Sequence, residues 1–192
     1  MRPNKRDELV RKALKIFYRE GFHTAGMDML AAETGISKTT MFKHFRTKED
    51  LILAVLRLRD EEFRGWLFRR IKEAGAPQAQ LLAIFDALSE WFATEEFSSC
   101  LFIKASCEYP DSTHPIHSQA SEHKRLLFRE IERIASEAGA KDPAVLARGL
   151  LLLKDGATVM AHFDHEQDPA GDAKRAATLL LSEQIDGTID RD

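Results

Sequence analysis

Five of the seven residues from position 38 to position 44 can donate a hydrogen bond from their side chains. They are Lys38, Thr39, Thr40, Lys43 and His44. Met41 and Phe45 follow a four-residue apolar spacing, so a helix here would bury one side and expose a polar, basic side. Hydroxyl, ammonium and imidazole groups on an exposed helix are suited to contacting base edges and phosphates in the DNA major groove.

Two short predicted helices position this segment. The first runs from about Met27 to Thr34 and is closed by Gly35, and the second runs from Lys38 to Phe45 after the capping residue Ser37. Ile36 lies between them as a single apolar residue that is expected to be buried. Two short helices joined in this way form a helix-turn-helix, whose second helix fits the major groove. A three-helix packing unit with a solvated basic face is the alternative that the spacing leaves open.

Charge is distributed unevenly along the chain. Residues 1–50 contain 11 lysines and arginines against 7 acidic residues, whereas the whole chain of 192 residues has a formal net charge of −3. A basic N-terminal part on an acidic remainder suggests a polyanionic partner for the N-terminal part only.

Neither a membrane span nor a signal peptide is predicted. No run of about 18 apolar residues is present, and the first ten residues lack the apolar stretch of a signal peptide. The sequence therefore predicts a cytoplasmic protein without membrane partners.

The two cysteines are not expected to form a disulfide. If Cys100 and Cys107 share one helix, they lie about 10 Å apart along its axis, and we expect two separate buried thiols.

The whole chain is predicted to be helical, because no alternating strand pattern of useful length occurs. The predicted helices are 5–20, 27–34, 38–45, 48–74, 78–93, 99–109, 115–138, 143–163 and 169–186. The fourth helix would be about 40 Å long at 1.5 Å per residue. We expect an all-α fold of nine helices.

A longer series of residues resembles the signature of the TetR family of bacterial regulators. It comprises Phe17, Gly21, Ala31, Gly35, Ile36, Ser37, Phe42, Lys43, His44, Phe45 and Lys48. The match covers about residues 5–58. It implies a two-domain homodimer, with a three-helix helix-turn-helix head at 1–50 and a helical ligand-binding and dimerisation body at 51–192. The long fourth helix joins the two.

The resemblance also implies which residues contact DNA. By position, Lys38, Thr39 and Thr40 would face bases or nearby phosphates. Phe42, where the family usually has tyrosine, would contact the DNA backbone together with Lys43, His44 and Lys48, and Thr24 is a further backbone candidate. The implied partner is double-stranded, palindromic operator DNA, and repression is the implied mode of action.

Aromatic and polar side chains of the body are candidates for lining an effector pocket. The candidates are Phe63, Trp66, Phe85, Trp91, Phe102, Lys104, Tyr109, Asp155 and Met160. Such a lining would favour a small apolar or aromatic effector, whose identity the sequence does not give. Ordinary core packing is the alternative for most of them.

The last two helices are predicted to form the dimer interface. The helix at 143–163 is unusually apolar and contains Gly149, Gly156 and Ala157, which allow close approach. The last helix offers Ala176, Leu179, Leu180 and Ile185. A core within one chain is the alternative.

Other functions remain open at this level. They are a helix-turn-helix regulator without an effector, a metal-responsive regulator, an all-helical enzyme and a helical scaffold. The metal hypothesis would use His114, His117, His123, His162 and His165. No nucleophile–base motif supports an enzyme, and we predict no catalytic residue, no metal site and no cofactor.

Overall fold

The computed structural model describes residues 4–95, 97–163 and 167–185, and every regular element in these ranges is an α-helix. The helices are α1 (Lys5–Glu20), α2 (Met27–Thr34), α3 (Lys38–His44), α4 (Lys48–Lys72), α5 (Pro77–Phe92), α6 (Leu101–Glu108), α7 (Pro115–Glu137), α8 (Pro143–Phe163) and α9 (Pro169–Gln184). The predicted all-α fold is confirmed. Among these described helices, none has both the length and the apolar character that crossing a bilayer requires.

Local sequence sets several helix boundaries. The side chains of Asn4, Ser37 and Asp168 each accept a backbone N–H in the first turn of α1, α3 and α9, as capping residues do. Gly35 ends α2 with a φ of 69°, in the left-handed region that favours glycine. The sequence-based boundaries therefore differ from the observed ones by at most two residues.

The segment that enters α6 departs from the prediction. Ser99 has a φ of 64°, so the chain is left-handed at the predicted helix start and α6 begins only at Leu101. Cys100 is buried just before the helix, but Cys107 is exposed on it, so the prediction of two buried thiols is wrong for Cys107. The reason is that Cys107 lies on the outer side of α6, whereas Phe102 and Ala105 face the core.

Packing divides the chain into two compact units. The first takes residues from 1–63 and 100–123, and the second from 64–99 and 124–192. Helices α4 and α7 therefore contribute to both units, and α6 belongs to the same unit as α1, α2 and α3. The functional division between residues 50 and 51 stays a prediction, since packing cuts the chain elsewhere.

The first unit has an aromatic and aliphatic core that fixes its short helices. Phe17 and Phe22 are fully buried, with ring centroids 5.1 Å apart. Met41 of α3 is also fully buried in this cluster, and Ile36 fills the predicted place between α2 and α3. Because helices as short as α2 and α3 are not stable alone in water, this core is what holds them.

In the second unit, α8 and α9 pack against each other and against α5. A Cβ atom at Gly149 of α8 would lie 3.1 Å from Cδ1 of Leu180 on α9. The absence of a side chain at Gly149 thus permits a close approach within one chain.

A partly buried charged cluster joins α7 and α8 in this unit. Nζ of Lys154, which is only 1% exposed, donates to Oδ1 of Asp155 at 2.9 Å, and Nζ of Lys124 donates to the same oxygen at 2.6 Å. Burial by itself would raise the pKa of Asp155. The ammonium groups of Lys154 and Lys124 outweigh burial and lower the pKa.

This cluster predicts a pH dependence of stability. A carboxyl whose pKa is lower in the folded than in the unfolded chain stabilises the fold above the unfolded pKa, about 3.9 for aspartate, and this stabilisation is lost as pH falls through the folded pKa. We expect the free energy of unfolding, measured with urea between pH 7 and pH 3, to fall less steeply with acid in Asp155→Asn than in the wild type. The control is Asp86→Asn, which removes an exposed partner of Lys174. The same acid profile in both variants would contradict the assignment.

Candidate nucleic-acid interface

The turn between α2 and α3 is held by polar groups as well as by the core. The buried Thr34 hydroxyl donates to the carbonyl of Leu30 at 2.6 Å and accepts the N–H of Ile36 at 3.2 Å. From α1, Nζ of Lys12 donates to the carbonyl of Thr34 at 2.8 Å. The helix-turn-helix is therefore closed at its turn by hydrogen bonds on both sides of Gly35.

The outer surface of α3 is polar and open. Thr39, Lys43 and His44 are exposed, and their side chains make no hydrogen bond to any described residue. Phe42 is 49% exposed on the same helix, while Met41 is buried. The predicted separation into an inner apolar and an outer polar side is what the structure has.

Two of the predicted DNA-contacting residues already have partners within the first unit. Lys38 forms an ion pair with Asp28 of α2. The hydroxyl of Thr40 is 2.9 Å from that of Ser37, the capping residue of α3. Either side chain would have to exchange or share its partner in order to contact DNA.

Lys48 stabilises the loop after α1. Its Nζ donates to the carbonyl of Phe22 at 2.8 Å and lies 3.4 Å from the carbonyls of His23 and Ala25. This structural role was missed by the sequence analysis, because the carbonyls of a loop have no signature in the sequence. Thr24, the other backbone candidate, is exposed in the same loop.

The end of α6 lies against this loop. The carboxylate of Glu108 accepts the N–H of Phe22 at 2.9 Å and that of His23 at 2.6 Å. One turn earlier, Nζ of Lys104 donates to the carbonyl of Tyr18 near the end of α1 at 2.7 Å. We call this set the α6 latch: Lys104 and Glu108 with the backbone of Tyr18, Phe22 and His23.

The charges of the α6 latch match the backbone groups that they meet. The ammonium group of Lys104 meets a carbonyl at the negative end of α1, and the carboxylate of Glu108 meets N–H donors. Burial lowers the pKa of Lys104, and the charge of Glu108 opposes this shift. Gly21 has a φ of 82°, which favours glycine, and a Cβ there would lie 2.9 Å from Oε1 of Glu108, so a side chain at this position would displace the carboxylate.

Tyr109 packs beside the latch. Its ring lies between those of His23 and His114, with both centroid distances 4.8 Å, and burial raises the pKa of Tyr109 to about 12. Lys104 and Tyr109 were predicted to line an effector pocket. In the structure Lys104 bonds to the end of α1, and Tyr109, which directly follows α6, packs on His23 of the loop after α1.

Phe63 and Phe102, two other effector candidates, meet around a buried histidine. The ring of His123 stacks on Phe102 at a centroid distance of 3.6 Å and lies 5.9 Å from that of Phe63. Nδ1 of His123 is 2.7 Å from Oδ1 of the buried Asp60. The sequence analysis grouped the two phenylalanines, but it missed the histidine–aspartate pair, whose members are 63 positions apart.

The remaining effector candidates belong to the second unit, where their surroundings differ. Phe85 is buried in the core, and Trp66 is half-buried on α4. The ring of Trp91 packs on that of Phe97 at 5.0 Å. Asp155 belongs to the charged cluster of α7 and α8, and Met160 is 49% exposed on α8. These side chains stay candidates for an effector pocket, and the contacts among the described residues do not group them around one site.

A metal site has no support in the part of the chain that the structure describes. No three histidine, cysteine, aspartate or glutamate side chains there are grouped so that they could hold an ion. His165, part of the metal hypothesis, lies outside the described residues.

Comparisons with known proteins agree with this geometry. Residues 9–55 match the family described as bacterial regulatory proteins, tetR family. The HTH-type transcriptional regulator BetI of Brucella suis is 30% identical over 191 residues, which are 97% of this chain and 94% of BetI. The HTH-type transcriptional regulator YjdC of Escherichia coli is 26% identical over 179 residues, 92% of this chain and 93% of YjdC.

A solved structure extends the likeness to the fold. The crystal structure of a TetR-family transcriptional regulator from Streptomyces coelicolor has a TM-score of 0.89 and 27% identity, covering 95% of this chain and 91% of that one. The similarity thus runs through both compact units and is not confined to the helix-turn-helix. The chain belongs to the TetR family of DNA-binding transcriptional regulators.

Proposed function

We propose that this regulator is a homodimeric repressor that leaves a palindromic operator when a small, largely apolar or aromatic effector binds. Proteins of this family are DNA-binding regulators and not enzymes. The α6 latch is the observation that carries the proposal, because it ties a helix outside the helix-turn-helix to the loop that precedes α2. Repression is the usual mode in the family, and the effector and the operator are left to experiment.

The exposed side of α3 supports its role in reading DNA. Thr39 is suited to a base edge, while Lys43 and His44 are suited to phosphates or bases. Lys38 and Thr40 would join them by exchanging their partners within the protein. We assign Lys48 and Thr24 to the adjacent DNA backbone, with Lys48 also holding its loop.

An exposed apolar surface on α8 and α9 supports dimerisation through these two helices. Its large hydrophobic residues are Val145, Leu152, Met160, Phe163, Leu179 and Leu180. Val145, Leu152 and Met160 are spaced by seven and eight residues, so they share one side of α8. Large apolar side chains exposed together on two packed helices favour an interface there. In a two-fold dimer the two α3 helices must lie about 34–36 Å apart to enter successive major grooves.

The latch provides a route from effector to operator. An effector that binds better to one position of α6 shifts the population of that position, and it can change DNA affinity only by its differential affinity for the two states. Since Lys104 is bonded to the end of α1 and Glu108 to the loop after it, movement of α6 changes the placement of that loop. By linkage, operator binding must alter effector affinity by the same factor.

A regulator without an effector is the second candidate. The observation in its favour is the packing around His123, which fills the space between Phe63 and Phe102 with a ring. In that case the first unit would have a single DNA-binding conformation, and no small molecule would change its affinity for DNA.

Selection of bound fragments from sheared DNA of the source genome tests operator recognition. We expect a near-palindromic site.

Lys43→Ala should weaken binding to all sequences and reduce the slope of log affinity against log salt by about 1, since it removes one phosphate contact. Thr39→Ala should mainly reduce the preference for the selected site, and Lys72→Ala, on an exposed part of α4, should change neither. Equal effects of the α3 variants on all sequences would contradict the assigned roles.

Dimerisation is tested with a charge placed in the apolar surface. Leu152→Glu should shift the sedimentation behaviour from dimer to monomer and weaken operator binding at least tenfold, because a carboxylate would be buried in the interface. Ser136→Glu introduces the same charge at an exposed position of α7 and should leave both properties unchanged. If the Leu152→Glu protein remains a dimer, the interface lies elsewhere on the chain.

The latch is tested by Glu108→Ala. Loss of the carboxylate should speed amide hydrogen exchange at Phe22 and His23, because both N–H groups lose their acceptor. A panel of apolar and aromatic compounds then tests the response to an effector. Compounds that raise the Tm of the wild type should also reduce its operator affinity. In Glu108→Ala the same compounds should raise Tm but have little effect on operator affinity. Cys107→Ala, at an exposed neighbour, is the control. If no compound in a broad panel acts on the wild type, the candidate without an effector is preferred.

A further inference from the structure

We infer that Phe42 recognises a thymine methyl group in the operator and is a specificity-determining residue. This inference rests on the proposal that α3 is the helix that reads the major groove. It replaces the backbone contact that the family resemblance implied for Phe42 with an apolar contact to a base.

The exposure of Phe42 is unusual for the part of the molecule where it lies. Seven large hydrophobic side chains are well exposed among the described residues, and six of them belong to the apolar surface of α8 and α9. Phe42 is the seventh, and the described part of the first unit contains no other. The exposure of the Phe42 ring therefore has an explanation other than the proposed dimer interface of α8 and α9.

The packing of α3 does not account for this exposure. Met41, the preceding residue, is fully buried, and the ring of Phe45 is buried with the guanidinium of Arg6 5.0 Å from its centroid. The ring of Phe42 has no aromatic or cationic neighbour among the described residues. The core of the first unit is thus anchored by Met41 and Phe45, and Phe42 is left with an apolar surface that the protein does not cover.

The neighbours of Phe42 indicate what covers it. Phe42 follows Lys38 by four residues and Thr39 by three, so the three side chains are adjacent on the surface of α3. A phenyl ring can neither donate nor accept a conventional hydrogen bond, and it would leave the polar edge of a guanine or cytosine unsatisfied. The apolar feature of the major groove is the C5-methyl group of thymine, which phenylalanine side chains contact in known complexes.

Replacing thymine by deoxyuridine removes this methyl group and leaves every hydrogen-bonding atom in place. In the selected operator duplex, each thymine is replaced singly and the Kd of the full-length protein is measured at fixed salt. We expect the wild type to lose roughly fourfold in affinity at one thymine of each half-site, the contribution of one buried methyl group. Phe42→Ala should bind thymine and deoxyuridine duplexes equally at that position, and Phe42→Leu should retain part of the difference.

Two controls complete the experiment. Lys43→Ala should weaken binding to both duplexes and keep the ratio between them, because it acts on phosphates. Circular dichroism and sedimentation should show that Phe42→Ala is folded and has the oligomeric state of the wild type, as expected for a side chain outside the core.

The outcomes separate this inference from the proposed function. A wild-type protein that selects an operator but does not distinguish thymine from deoxyuridine anywhere overturns the inference alone. The same holds if Phe42→Ala keeps the full distinction, since the methyl group would then contact another residue. A wild-type protein that selects no operator overturns the proposed operator reading, and the inference falls with it.

Discussion

The recognition surface depends on one constraint, which is that α3 has only seven residues. A helix of this length does not persist in water, because it forms too few hydrogen bonds to offset the cost of nucleation. Its order comes from Met41 and Phe45, which lie in the same core as Phe17 and Leu51. Every exposed group on α3 takes its position from this apolar anchorage.

Lysines fix the backbone around that anchorage. Lys12 donates to the end of α2, Lys48 to the loop after α1, and Lys104 to the end of α1. In each case an ammonium group meets a carbonyl near the end of a helix or in a loop, which is a favourable electrostatic arrangement. The excess of basic residues in the first fifty positions thus serves two purposes, since part of it stabilises the fold and part is presented on α3.

The composition of the first unit bears on regulation. Helix α6 and the beginning of α7 pack with the helix-turn-helix in one compact unit, although they are far from it in sequence. In the proposed mechanism, a signal that reaches α6 would therefore act on residues of the unit that contains the helix-turn-helix. Glu108 would carry it most specifically, because it accepts two consecutive N–H groups and faces a glycine that leaves room for it.

The helices, their capping residues and the division of α3 into buried and exposed sides could be predicted from local sequence, because these depend on local propensity and on a periodicity of 3.6 residues. The sequence also identified the family, since the motif lies within one short stretch. Three features became visible only in the folded chain: Lys104 and Tyr109 pack on the end of α1 and the loop after it, Asp60 pairs with His123, and Lys48 is bonded to carbonyls. Each depends on contacts between groups from 23 to 86 positions apart. Such contacts are set by how helices pack in three dimensions, and no local pattern encodes them.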